Sequence, residues 1–414
     1  MRLAAVLALP VFLAVSPVAG AAAVDHCVSC HATLDKKHSV VVKDFAGDIH
    51  REKGLNCASC HGGDPAQEGP AEAMNPDKGF VGAPAKGDIP RFCGKCHSNP
   101  AYMKKFNPSL PVDQELKYST SVHGRRLKGG DTNVATCAAC HTAHSIRPAK
   151  DPTSSVYAKN IPQTCGKCHS DAKLMAPYKI PTDQVALYMR SVHGKALLEK
   201  GDTAAPVCNT CHGNHGAAPP GVADIGHVCG MCHPHNAELF MTSPMAKPWQ
   251  GRKYHICATC HTHHGIQPPT TALLSQESGV CLRCHRPASP ALRVATAIQA
   301  KLQGVEGMYR DAGAAILRAE DKGMDMGVAR DAWDAARAAM YQARTAVHSF
   351  RVQTVAEAAD PGYAAAQKAR KAAEAAVRDF RNRRVGLGVA SLIITLLVLA
   401  LYLKARDIGS GGKG

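Results

Sequence analysis

The chain has 414 residues, a formal net charge of +16 and eighteen cysteines. Its length admits two or three ordinary domains, but three compositionally distinct stretches follow one another, which excludes one uniform globular core. The basic excess alone would suit nucleic acid, a reading that the cysteine pattern removes.

Residues 1 to 23 carry one basic residue, Arg2, then an apolar run from Leu3 to Val15, a break at Ser16-Pro17 and small residues up to Ala23. That is the layout of a secretory signal peptide. Cleavage is expected after Ala21 or Ala23, because the run is short for a membrane span.

Every cysteine then falls in a CxxCH motif. The pairs are Cys27/Cys30, Cys57/Cys60, Cys93/Cys96, Cys137/Cys140, Cys165/Cys168, Cys208/Cys211, Cys229/Cys232, Cys257/Cys260 and Cys281/Cys284. They are followed by His31, His61, His97, His141, His169, His212, His233, His261 and His285. Two thiols three positions apart can bond the two vinyl groups of one porphyrin, and the adjacent histidine then reaches its iron. A disulfide framework gives no reason for a histidine after every second cysteine, and zinc ribbons need paired CxxC units. The expectation is nine covalently attached haem c groups.

Each ferric haem, with two ionised propionates, brings about one negative charge and each ferrous haem about two, so nine haems nearly cancel the basic excess and nucleic-acid binding is not expected. About 29 residues per haem over 27 to 285 is too little for a conventional apolar core, so the porphyrins must supply the buried surface and the apo-chain should be largely unfolded.

From Phe92 the motifs recur in pairs. CGKCH at 93, Ser121-Val122-His123-Gly124 and CAACH at 137 with His144 form one repeat. CGKCH at 165, Ser191-Val192-His193-Gly194 and CNTCH at 208 with His215 form the second. A shortened third has CGMCH at 229 and CATCH at 257 with His264. The first two motifs stand apart. A low-potential haem takes two protein ligands, and the candidate sixth ligands are His123, His193, His144, His215 and His264, with His38 and His50 near the first two motifs. Aligning Leu239 to Met245 with Leu187 to His193 puts Met245 where a histidine stood, a candidate for a His/Met haem of raised potential. His26, His227, His235, His255 and His263 lie too close to motifs to rank.

After Pro290 cysteine disappears and the sequence turns alanine-rich with apolar residues at helical spacing. Helices are expected at roughly 291 to 322, 328 to 358 and 362 to 384, with breaks at Gly323 to Gly327 and Asp360-Pro361-Gly362. His348 is the lone histidine of this arm and a further candidate ligand. Val385 to Leu403 is uncharged and flanked by Arg381, Arg383, Arg384, Lys404 and Arg406, the signature of one transmembrane helix. The expected fold class is a mostly irregular and α-helical multihaem domain with little sheet, then a helical stalk or bundle and a C-terminal membrane helix. The expected segments are 1–23 signal peptide, 24–289 nine-haem domain, 290–384 stalk or bundle, 385–403 membrane helix and 404–414 cytoplasmic tail.

The nine motifs, SVHG at 121 and 191, and CxxCHxxH at 137, 208 and 257 resemble the doubled-CxxCH multihaem cytochrome c family of bacterial respiratory chains. The resemblance covers residues 27 to 285. It implies electron transfer on the periplasmic side of the cytoplasmic membrane, in anaerobic respiration, between a membrane b-type cytochrome or quinol-oxidising complex and soluble periplasmic cytochromes or outer-surface acceptors. The alternative is an oxidoreductase acting on a small nitrogen or sulfur compound at one open haem. No CxxCK motif is present to support it, and the expected role is electron carriage, with no catalytic residue.

Overall fold

The computed structural model describes residues 25–220, 225–249 and 255–410. The expected signal peptide lies outside them, as does the end of the tail. No strand forms among the described residues. The chain divides into two compact units, one of Met1–Val185 with Leu197–Ala218, the other of Ala186–Ala196 with Pro219–Gly414.

In the first unit each motif sits on a short helix, which puts the two cysteines on one face and the histidine one turn on. Two kinds occur. Ile89–His97 and Ile161–His169 start with Pro90 and Pro162 in the first turn, where the missing N–H has no helical partner to lose. Cys57–His61, Cys137–His141 and Cys208–His212 are single turns. The chain leaves them through a positive φ at Gly62 (71°), Thr142 (66°) and Gly213 (82°), so it swings away directly after the histidine.

The SVHG segments have a steric explanation. Ser121 caps the helix Val122–Lys128 by accepting from Gly124 N, and its hydroxyl donates to Tyr118 O. A Cβ at Gly124 would lie 2.0 Å from Tyr118 O, so only glycine allows this helix to turn so tightly against the one before it. Ser191 and Gly194 repeat the arrangement on Tyr188.

The second unit carries three long helices, α1 (Pro290–Glu320), α2 (Gly327–Ala346) and α3 (Val352–Ser410). Their buried faces follow three- and four-residue steps: Leu292, Ala295, Ile298, Leu302 and Val305 on α1, Ala336, Met340 and Ala343 on α2, and Val355, Ala359, Ala366, Ala369 and Ala373 on α3. The alanine-rich seam lets the backbones approach closely. A Cβ on Gly362 would lie 2.8 Å from Ala339 Cβ. Leu274 joins this core and Cys281 packs against it, so the last haem motif is seated on the bundle.

Two expected helix boundaries move. Asp360-Pro361-Gly362 is no break: α3 runs through Pro361 without interruption. An interior proline removes one backbone bond and costs about 3 kcal/mol in an isolated helix. Here Pro361 faces solvent while Ala359, Gly362 and Ala366 stay on the buried seam, and packing of that seam outweighs the local loss. The break falls instead at 347–351, where Phe350 takes a left-handed φ of 51°.

Beyond residue 380 the face of α3 changes. From Arg381 to Ile408 the helix is exposed or nearly so, including the whole apolar stretch from Val385 to Leu403. The helix is long and apolar enough to cross a membrane, and none of that apolar window is buried in the protein, unlike the core helix of a soluble bundle.

Replacing Gly362 by leucine forces the seam apart at Ala339 and Val305. Overpacking of this kind costs about 1–3 kcal/mol, which denaturant unfolding followed by helical circular dichroism will read as an earlier transition of the α1–α3 bundle, with haem content unchanged.

Candidate functional site

The structure brings motif histidines face to face with histidines from elsewhere in the chain. In the first unit the ring centroids of His61 and His144 are 6.1 Å apart, those of His141 and His215 also 6.1 Å, those of His123 and His169 6.2 Å and those of His50 and His97 5.9 Å. His31 and His38 are closer, at 5.2 Å. In the second unit His261 faces His348 at 6.0 Å, and His233 is near enough to His193 to depress its basicity after burial has done so.

The separations of 5.9 to 6.2 Å have a chemical meaning, of which the 5.2 Å between His31 and His38 falls about 1 Å short. Two metal–nitrogen bonds of about 2 Å and two ring radii of about 1.1 Å put the centroids of two imidazoles on one iron about 6.2 Å apart. The donor set therefore fits a c-type haem, with two cysteines beside one imidazole of each pair and the other imidazole opposite. Among the described residues no group of three or more His, Cys, Asp or Glu gathers to hold a metal in another way. Burial lowers the pKa of His97, His123, His141, His144, His169, His215, His261 and His348, and a neighbouring histidine contributes to most of these shifts. They are held neutral, the form that binds iron.

Nδ1 contacts aim the rings. The His61 Nδ1–H donates to Gly82 O (2.8 Å), that of His212 to Ala218 O (3.2 Å) and that of His348 to Thr345 O (2.9 Å). A carbonyl only accepts, so the proton sits on Nδ1 and the lone pair on Nε2 is left for a metal. For His38 and His50 the acceptor is a carboxylate, Asp35 at 2.7 Å and Asp48 at 2.9 Å. Sequence reading missed both aspartates. An acidic residue two or three positions before a candidate histidine was the available signal.

Asp48 does more than orient a ring. It is 1% exposed, and it accepts from His50 N and His50 Nδ1 on one oxygen and from Ile146 N (2.7 Å) on the other. Burial opposes its charge, yet these hydrogen bonds outweigh burial and hold its carboxyl below the usual range. Ile49 N in turn donates to Ile146 O (2.9 Å). The same backbone bond recurs from Val122 N to Ala217 O (3.0 Å) and from Val192 N to Ile266 O (2.8 Å). Each joins the residue before one candidate ligand to the residue two after another: His50 with His144, His123 with His215, His193 with His264.

That register revises the expectation that the first two motifs stand apart. Asp48-Ile49-His50 occupies the place of Ser121-Val122-His123, with aspartate capping in place of serine. The substitution of two letters in three hid the equivalence. The pairings then follow one rule. The SVHG-type histidine faces the CGxCH motif of the following repeat (His50 with His97, His123 with His169). The CxxCHxxH histidine faces the single-turn motif of the preceding one (His144 with His61, His215 with His141).

Motif thiols lie side by side in chain order. Cys93 and Cys137, Cys165 and Cys208, and Cys229 and Cys257 are within hydrogen-bonding reach, which drives one thiol of each pair up and the other down. Cys57 is felt by Cys27, Cys96 by Cys60, Cys168 by Cys140 and Cys281 by Cys260. Within each unit, consecutive motifs are neighbours.

The two cysteines of a motif are not equally sheltered. The first cysteine of every motif is half-buried, whereas the second is exposed in six of them: Cys30, Cys60, Cys140, Cys211, Cys232 and Cys284. Only Cys96, Cys168 and Cys260 keep partial cover at the second position. Exposure does not disqualify these six as attachment points, because a thioether is formed by an accessible thiol and carries no charge that would need a buried partner.

The unranked histidines behave differently. His235 lies by Glu238 at the surface (3.6 Å), His263 stacks on His264 (4.6 Å), and His255 Nδ1 is buried without a hydrogen-bond partner. Met245 is half-buried beside the capping residue Ser243.

Residues 49–170 match the family of cytochrome c3, a stretch holding His50, the four motifs from Cys57 to His169, His123 and His144. No curated protein and no solved structure gives a significant match.

Asp48→Asn turns an amide donor toward a site where all three neighbours are themselves donors. An unsatisfied buried group costs about 1–3 kcal/mol, which chemical unfolding of the haem-loaded protein will register. The variant should also raise the potential of one haem, read by spectropotentiometry, because an amide withdraws the carboxylate's push on His50.

Proposed function

From a chain that belongs to the multihaem cytochromes c and transfers electrons through c-type haem, we propose a membrane-anchored relay of nine haems, one for each CxxCH motif. His31, His61, His97, His141, His169, His212, His233, His261 and His285 are the proximal ligands. His38, His144, His50, His215, His123, His193 and His348 are the sixth ligands of the haems at His31, His61, His97, His141, His169, His233 and His261, and His264 holds the same place in the third repeat as His144 and His215 in theirs. The observation that carries the reading is the recurrent separation of about 6 Å between a motif imidazole and a remote one, since two imidazoles at that spacing suit a six-coordinate iron.

Two imidazoles on each of these seven irons leave no open position for a substrate there, and this supports electron carriage over chemistry on a small nitrogen or sulfur compound. Within each unit, neighbouring thiols of consecutive motifs support a serial path, haem to haem, in the order of the sequence. The protein's own contribution is to keep His97, His123, His141, His144, His169, His215, His261 and His348 neutral by burial, and to aim His38, His50, His61, His212 and His348 through Nδ1.

Export through the leader 1–23 would place the haem region in the periplasm. The apolar stretch 385–403, exposed on all sides, would then anchor it in the cytoplasmic membrane with residues 404–414 inside. A donor at the membrane, such as a b-type cytochrome or quinol-oxidising complex, and soluble periplasmic or outer-surface acceptors suit this arrangement. The haems cancel most of the formal charge, so no nucleic-acid partner is proposed.

Haem quantification on the purified full chain should give nine per polypeptide. The ferric electron paramagnetic resonance spectrum should be low-spin throughout and indifferent to nitrite and hydroxylamine. A high-spin fraction that shifts with either molecule would replace the relay by the enzyme.

A further inference from the structure

The register leaves one motif histidine without an imidazole opposite it: among the described residues no ring pairs with His285. We infer that Met245 is the sixth ligand of the haem bound through Cys281 and Cys284, an inference that rests on the nine-haem reading.

Three observations converge on this pair. The first is the cap that presents the ligand. Ser121, Ser191 and Ser243 are all buried, and each donates its hydroxyl to the carbonyl three residues earlier, on Tyr118, Tyr188 and Phe240. Two residues after these serines stand His123, His193 and Met245. Met245 N donates to Ser243 Oγ (3.2 Å), where in the earlier repeats the residue after the ligand does so. Ala246 carries a Cβ where Gly124 and Gly194 have none, so this last turn is slightly opened.

The second is the order of the motifs. His50 and His123 each pass over the single-turn motif next in sequence and face the motif after it. Applied to Met245, that rule passes over Cys257–His261 and arrives at Cys281–His285. The ninth motif also stands where the rule requires: Cys281 and Cys284 border Cys260 as Cys168 borders Cys140 and Cys96 borders Cys60.

The third is how the repeat ends. Val122 N and Val192 N bond to the segment of a following CxxCHxxH motif. Pro244 has no N–H to give, and no further CxxCHxxH follows in the sequence. The bundle takes over at this point. His348, from the turn between α2 and α3, faces His261 in place of the missing histidine. That turn borders the segment before Met245 and shares a hydrophobic cluster with Cys281. Arg351 donates to Thr242 O (3.4 Å) and Phe350 packs edge-on against Phe240, while Val347 and Val352 pack on the cluster that holds Cys281.

A thioether prefers ferrous iron more than an imidazole does, so the haem of the last motif would be the highest in potential. The test uses the full haem-loaded chain and its Met245→His and Met245→Leu variants, with haem counted in each. Wild type should show the near-infrared methionine-to-ferric charge-transfer band at one haem in nine. Met245→His should abolish the band and lower the potential of one-ninth of the titrating signal, leaving the rest in place. Met245→Leu should abolish it and create one haem that binds carbon monoxide. A band that survives both substitutions, which would put another methionine on iron, overturns the assignment, and so does the absence of a band in a wild type with nine low-spin haems, which would put an imidazole such as that of His255 in its place. Fewer than nine haems in wild type would instead defeat the nine-haem reading beneath it.

Discussion

An imidazole pair on a shared iron fixes the distance between two chain segments to within a few tenths of an ångström, and in the repeats those segments lie far apart in sequence. His61 faces His144, His141 faces His215 and His261 faces His348. A chain with so few residues per haem cannot assemble an apolar core first and add cofactors later. On the proposed ligation, the paired histidines would close the long loops and the porphyrin would fill the space between them. Closing such loops carries an entropy cost that the helices of four to ten residues could not meet by themselves. Every other feature of the haem region serves the pairs: capping serines, tight glycine turns, and the backbone bonds that join one ligand segment to the next.

The C-terminal arm is held by different physics. Its leucine, isoleucine, valine and alanine seam buries ordinary apolar surface along α1, α2 and α3, and needs no cofactor. The two regimes meet where the repeat runs out of histidines. There the turn at 347–351 projects His348 toward His261, and its Nδ1 contact with Thr345 gives it the same orientation device as the motif histidines. A helical bundle that sets a histidine against the last repeats acts as their end cap, much as terminal repeats of solenoids differ from internal ones. Beyond it α3 continues without a break into its exposed apolar half, so the cap and the candidate membrane helix share one continuous helix.

Much of this was legible in the sequence. The motifs, the SVHG intervals and the helical arm followed from spacing alone, because covalent attachment and helix periodicity are local requirements. The pairing of histidines was not, since the rule skips a motif in one direction and reaches back one repeat in the other, which no local window contains. His50 was recognisable as a candidate but not as the SVHG equivalent, because Asp48 caps with a carboxylate where the later repeats use serine. Pro361 misled for a plain reason: its local penalty is real, and only the buried positions on either side of it show that tertiary packing overrides it.

The central claim is the cross-repeat register of the ligands, and a high-resolution density map of the haem-loaded chain tests it most directly at the iron bound through Cys165 and Cys168. The account predicts His169 on one side of that iron and His123, from the preceding repeat, on the other. Density connecting the iron to His193, the histidine of its own repeat, would contradict it.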